Sequence, residues 1–154
     1  MQIYINYDYR EDDLAQVRIE DLIRFVLERE EVPETIEVSV SFVTDDEIHE
    51  LNRDYRGIDR PTDVLSFECD GLDDDMDFVE GDVFELGDVI IAVDVADRQT
   101  AEYGTTFEDE ISLLLVHGLL HLCGYDHIED DEAEVMEARE RELLSDFYGK
   151  PFER

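Results

Sequence analysis

The sequence predicts an α+β fold: one mixed β-sheet of about four strands packed with about five helices, forming a single domain over residues 1–154. Three observations predict it. Segments with alternating apolar residues interleave with segments of helical apolar spacing, in the order β-α-β-α-β-β-α-α-α. A chain of 154 residues suffices for one domain with a real core and is too short for two ordinary ones. No apolar run approaches a membrane span, and no internal repeat is visible.

Taken in order, Met1 to Tyr7 alternates (Ile3, Ile5, Tyr7) and reads as a strand. Leu14, Val17, Leu22, Phe25 and Val26 fall near helical spacing, so a continuous amphipathic helix is expected over Asp13 to Glu31, stopped by Pro33. Thr35 to Val43 alternates again (Ile36, Val38, Val40, Phe42) as a half-buried strand. Thr44-Asp-Asp-Glu47 is a capping box that opens a helix carrying Ile48, Leu51 and Tyr55. Val64 to Cys69 and Asp88 to Val93 are β-rich and are expected to pair across a mobile acidic excursion, Asp70 to Glu85. That excursion lacks the alternation and closing Glu of an EF-hand loop and reads as solvated. Helices are expected at Val95 to Tyr103, at Thr106 to Cys123 (Thr106 capping with Asp109), and at Asp130 to Phe147. The last presents a charged face over a buried stripe of Val135, Met136, Leu143 and Leu144.

Chemistry concentrates in His117-Gly-Leu-Leu-His121-Leu-Cys-Gly124-Tyr-Asp-His127, which holds three of the four histidines. His117 and His121 are four apart in an expected helix, so their rings share one face. Gly124 is the left-handed stop that turns the chain so that His127 can return to the same point. Three neutral imidazoles make a tripod for a divalent metal, most plausibly Zn²⁺, with the fourth position open to water as in catalytic sites. Cys123 is a poor fourth ligand, since it points about 200° around the helix from His121. The spacing H-x-x-x-H-x-x-G-x-x-H also matches the metzincin proteases, with one exception. Those enzymes carry a general-base Glu directly after the first His, where this chain has Gly118.

The His segment and the following Ile128-Glu-Asp-Asp-Glu-Ala-Glu-Val-Met136-Glu resemble the signature of the YbeY family of bacterial rRNA maturation endoribonucleases. Leu51-Asn-Arg-Asp-Tyr55-Arg56-Gly57-Ile-Asp-Arg60-Pro61-Thr62-Asp63-Val-Leu-Ser66-Phe67 resembles that family's N-x-x-Y-R-G-x-x-x-P-T-[DN]-V-L-S-F block. Gly87-Asp88-Val-Ile-Ile resembles its L-G-D-[IV]-x-I strand, and the match runs in register from about Val38 to Arg141. The resemblance implies a zinc-dependent, single-strand-specific endoribonuclease acting on the 3′ region of small-subunit (16S) rRNA, in ribosome assembly and quality control. It also implies the small subunit, ribosomal proteins and an assembly GTPase as partners, and a functional role for Arg56 near the metal.

From the residues alone, Arg56 sits at a helix C-terminus on a rigid corner between Gly57 and Pro61. Its planar fork suits a phosphodiester, though complementing the helix dipole would explain it equally well. Arg60 is an auxiliary phosphate contact or plain surface. Asp126 and Asp63 are candidates to accept the second ring N–H of a metal-bound His, or to serve as a turn residue and a cap at the start of the strand, respectively. His49 is expected to be solvated. The expected mechanism combines His117, His121 and His127 holding Zn²⁺ with Arg56 neutralising transition-state charge; Arg56 and His117 are the expected catalytic residues. With Gly118 in the motif, both water and the RNA 2′-OH stay open as nucleophile.

The net charge of −33, from 45 acidic and 12 basic residues, runs against this expectation, because nucleic-acid enzymes normally present basic surfaces. Lys150 is the single lysine. Concentrated salt, where the Debye length falls to about 3 Å at 1 M, would suit such a surface; an arginine-favouring genome would explain the missing lysines alone. Two rival functions follow: a non-enzymatic zinc-binding assembly factor whose acidic surface binds basic ribosomal proteins, and a metzincin-like hydrolase of another substrate. Two cysteines make no disulfide framework, and the N-terminus lacks the basic and apolar regions of a signal peptide, so a soluble, cytoplasmic protein without membrane contact is expected.

Overall fold

The computed structural model describes residues 1–69, 83–126 and 128–154. Its elements are β1 (Gln2–Tyr7), α1 (Glu11–Leu14), α2 (Ile19–Arg29), β2 (Ile36–Val43), α3 (Asp45–Arg56), β3 (Val64–Glu68), β4 (Phe84–Ala92), α4 (Val93–Tyr103), α5 (Phe107–Leu122) and α6 (Asp130–Tyr148). Four strands form one mixed sheet in the order β1-β2-β4-β3. The first three run parallel, and β3 is antiparallel to β4. The α+β fold expected from the pattern is therefore the observed one.

Alternation in β2 places Ile36, Val38, Val40 and Phe42 on the buried face. Helix α5 is the centre of the molecule. It touches β3, β4, α2, α4 and α6, and its residues Ile111 to Val116 are all buried. Burial all round is why α5 shows little amphipathic character of its own. The capping box at its start is complete: Thr106 Oγ1 accepts from the Asp109 N–H at 3.1 Å, and Asp109 Oδ2 accepts from the Thr106 N–H at 3.2 Å.

Gly118 explains how α5 gets so close to the sheet. A Cβ there would stand 2.6 Å from Val89 Cγ1 on β4, a contact no real Cβ makes. Ser66 on β3 fastens the same point, its hydroxyl donating to the Gly118 carbonyl at 3.1 Å.

Several expectations require correction. The helix expected over Asp13 to Glu31 is two helices, α1 and α2, joined by a turn at 15–18. Leu14, Val17 and Leu22 are all buried as expected; apolar spacing dictates which side chains enter the core, not whether the backbone between them is continuous. At Thr44 only half of the capping box forms, with Thr44 Oγ1 accepting from the Glu47 N–H at 3.3 Å. Strand β4 starts at Phe84, so the end of the expected excursion is paired sheet, and α4 starts at Val93 rather than Val95. The rest of the excursion, residues 70–82, lies outside the described residues. On α6 the buried stripe is Met136, Glu140, Leu143 and Leu144, while Val135 is 61% exposed. No helix among the described residues is long and apolar enough to cross a membrane.

Candidate metal centre

Helix α5 carries His117 and His121 on successive turns, with their rings edge to face at a centroid distance of 4.7 Å. Their Nε2 atoms face each other at 3.2 Å. Each Nδ1 is engaged by an oxygen that can only accept when ionised or carbonyl. His117 Nδ1 meets Glu140 Oε1 at 2.5 Å, and His121 Nδ1 meets the Tyr125 carbonyl at 3.0 Å. In the tautomer with both Nδ1 atoms donating, both Nε2 atoms are acceptors facing each other, an arrangement that calls for an electrophile between them.

A divalent ion fits that requirement. Two nitrogens, each about 2.0–2.1 Å from a tetrahedral ion, stand roughly 3.3–3.4 Å apart, close to the observed separation. Binding one ring nitrogen outward while the other is tied to a carboxylate or carbonyl is the usual support of a metal-ligating His. Among the described residues, no three His, Cys, Asp or Glu side chains come together as a metal-ligating group. His127, the expected third ligand, lies outside the described residues.

The turn after α5 is what delivers the Tyr125 carbonyl. Gly124 takes a φ of +101°, and the Gly124 and Tyr125 amides donate to His121 O and Leu120 O, both at 3.0 Å. The glycine thus reverses the chain, as its place in the sequence leads one to expect. Cys123 is no competitor for an ion: burial, with Glu30 nearby, pushes its thiol up to about 12, and the thiolate is the ligating form.

Glu140 is the functional neighbour that sequence reasoning missed. It is 6% exposed, on the same stripe of α6 as Met136, Leu143 and Leu144. A carboxylate recurring at i+4 from one buried apolar residue and i−3 from another was the available signal, since buried charges are seldom unpartnered. The expected acceptors fare differently. Asp63 spends its carboxylate elsewhere, Oδ1 accepting from the Val64 N–H at 2.8 Å and Oδ2 from Gln99 Nε2 at 3.2 Å. It is the cap at the start of β3. Asp126 lines the cavity beside the histidines. His49 is exposed, but not merely solvated, since its Nε2 lies 2.8 Å from Asp59 Oδ1.

Both histidines open into a cavity of about 670 Å³, which Arg56, Ser66, Glu68 and Asp126 also line. Arg56 is the last residue of α3, and the C-cap Gly57, at φ +70°, turns the chain immediately after it. Buried Asn52 then closes the corner, its Nδ2 donating to the Arg60 carbonyl at 2.9 Å and its own carbonyl accepting from the Ile58 N–H at 3.3 Å. The Arg56 side chain is exposed and, among the described residues, pairs with no carboxylate. The structure therefore brings Arg56, His117 and His121 to one cavity and leaves His49 outside it. A cation opposite two imidazole lone pairs can grip a phosphodiester while an ion polarises it.

The chain matches known proteins along nearly its whole length. The family profile described as Endoribonuclease YbeY covers residues 4–148. A protein of that name from Thermoanaerobacter sp. (strain X514) is 43% identical over 148 residues, covering 90% of this chain and 93% of the relative. One from Geobacillus thermodenitrificans is 50% identical over 131 residues, 84% of each chain. Among solved structures, the solution structure of TM1509 from Thermotoga maritima superposes with a TM-score of 0.66 at 30% identity, covering 96% of this chain and 90% of that one. With the family profile matched over residues 4–148 and relatives 43% and 50% identical over most of both chains, this chain belongs to the YbeY endoribonuclease family.

Proposed function

We propose that the protein is a zinc-dependent, single-strand-specific endoribonuclease that matures the 3′ end of 16S rRNA in the cytoplasm, during small-subunit assembly and quality control. The observation that carries this reading is the His117–His121 pair, with Nε2 atoms 3.2 Å apart and both Nδ1 atoms tied back. Family membership supplies the reaction class, because relatives across nearly the full chain are named endoribonucleases. Ribosomal proteins and an assembly GTPase are the partners this reading brings with it.

In this reading His117, His121 and His127 hold Zn²⁺, which when bound supplies Lewis-acid polarisation of a phosphoryl oxygen and acidifies water. Glu140 fixes the His117 ring by accepting a hydrogen bond from its Nδ1–H, and the Tyr125 carbonyl does the same for His121. Arg56 donates to the non-bridging oxygens of the scissile phosphate and neutralises charge that grows on them in the transition state. The corner after it fixes the backbone from which the guanidinium projects.

The metzincin-like alternative loses support at Gly118. That position is packed against Val89 and Ser66 on the sheet, with no room for a side chain, so it cannot carry the general-base Glu. The non-enzymatic assembly factor retains one observation in its favour, the −33 charge. Cleavage of a single-stranded RNA carrying the 16S precursor 3′ end, at low and at molar salt, separates the two. Wild type is expected to cut, with His121→Ala and Arg56→Ala each slower by about 10²–10³-fold, the loss typical of a removed transition-state donor. An inert wild type that loses melting temperature when stripped of metal would favour the assembly factor.

A further inference from the structure

Carboxylates outnumber basic groups 45 to 12, so an arginine without a carboxylate partner needs a reason. Eight of the eleven arginines are ion-paired. Among the described residues the other three, Arg56, Arg60 and Arg141, have no ion-pair partner. Arg56 and Arg60 flank the corner beside the histidines. Arg141 is on α6 and lines a second cavity, of about 350 Å³, which His117 also lines. The two cavities share Asp63, Val64 and His117 in their linings, so they adjoin at the imidazole.

The second cavity is built differently from the first. Leu113 and Leu114 of α5 and Met136 of α6 give it an apolar floor, and Phe152 supplies an aromatic ring. Phe152 is held by its N–H donating to Ser145 Oγ at 3.0 Å. Arg154 is anchored to buried Glu110 at 3.0 Å, with its guanidinium 3.7 Å from the centre of the Tyr103 ring. Asp63 and Glu140 are already engaged by Gln99 and His117. What is left to meet a ligand among the described residues is one ring, one guanidinium (Arg141) and one carboxylate, Glu137, a single turn before Arg141 and likewise in no ion pair with them.

A flat heteroaromatic group bearing an amine, joined to a phosphate, satisfies all three at once. Bases stack on aromatic side chains in single-stranded recognition, guanidinium forks grip phosphate, and carboxylates accept from the exocyclic amine of cytosine. The volume lies within the roughly 300–1,000 Å³ of ligand pockets. We propose that this cavity is a nucleotide subsite: it takes the base of the residue adjoining the phosphodiester at the histidine pair, with Arg141 on that nucleotide's phosphate and Glu137 favouring an amine-bearing base. This rests on the nuclease reading above, and adds to it a place where sequence preference beside the cut is set.

The test is a titration of the whole protein with cytidine 5′-monophosphate, uridine 5′-monophosphate and ribose 5-phosphate, followed by the methyl resonances of Leu113, Leu114 and Met136. Saturable shifts with the cytidine nucleotide are expected, weakened about fivefold or more in Arg141→Gln and in Phe152→Leu at unchanged melting temperature. The uridine nucleotide should bind more weakly, and the gap should close in Glu137→Gln. Methyls that ignore all three compounds, equal shifts with ribose 5-phosphate, or undiminished binding in both Arg141→Gln and Phe152→Leu would each overturn the subsite. RNA cleavage assayed on the same samples keeps the two readings apart. Nucleotide in the cavity without any cleavage sinks the nuclease alone, and cleavage with a silent cavity sinks the subsite alone.

Discussion

Arginines on the outer surface and arginines around the histidine pair live in opposite surroundings. Arg10 is held by Asp13, Asp94 and Asp97 at 2.8–3.0 Å, and these partners raise its already high pKa. Arg29 lies 2.9 Å from Asp146 and 3.7 Å from Glu142. Arg56, Arg60 and Arg141 have no such partners among the described residues. The neighbouring Arg53, one turn before Gly57, pairs with Asp54 at 3.1 Å, so neutralisation stops within three residues of the cavity. Net charge is a statement about the far field, and binding is decided by which charges are left unneutralised at contact distance. A chain at −33 can thus keep a local patch fit for phosphate.

Reversing one charge in each environment gives the sharpest contrast. Arg56→Glu should abolish RNA cleavage, by at least the roughly 10²–10³-fold of a lost transition-state donor, whereas Arg24→Glu, on an exposed i,i+4 pair, should leave the rate within about twofold. Equal losses in single-turnover assays would show that the overall field matters more than the contacts. The histidine support comes next in size. Glu140→Gln keeps the shape and an acceptor but removes the charge, and should weaken zinc binding about 10–100-fold in a chelator competition; undiminished affinity would mean that Glu140 serves packing alone.

Salt should report the number of unneutralised arginines. Each single-strand phosphate contact contributes a slope of about −0.7 in log affinity against log salt. Arg141→Gln is expected to flatten the slope by no more than that, and Arg18→Gln not at all, in anisotropy with a labelled RNA oligomer. The smallest effect belongs to stability. Arg10→Ala should cost about 1 kcal/mol in urea unfolding, because its pairs are partly exposed; a cost above about 3 kcal/mol would mark that network as buried in its effect.

Legibility in the sequence followed the range of the interactions. The Thr106–Asp109 capping box and the β2 alternation were readable because backbone geometry sets them within a few residues. The break between α1 and α2 was not, since Leu14, Val17 and Leu22 reach the core by either path. The histidine pair was readable, but its support was assigned to Asp63 or Asp126, the nearest carboxylates in the motifs. Glu140 does that for His117 from 23 residues away.

By itself, the sequence determined that His117 and His121 share a helical face, that Gly57 and Gly124 turn the chain after each functional segment, and that the family motifs stand in order. Helical periodicity and the φ freedom of glycine suffice for that. Only the tertiary structure decided that Glu140 meets His117, that Gly118 lies flush against Val89, and that Arg56 and Arg141 line two cavities that share His117. Those depend on how α5, α6 and the sheet pack, and close packing selects partners by shape and volume across the whole fold.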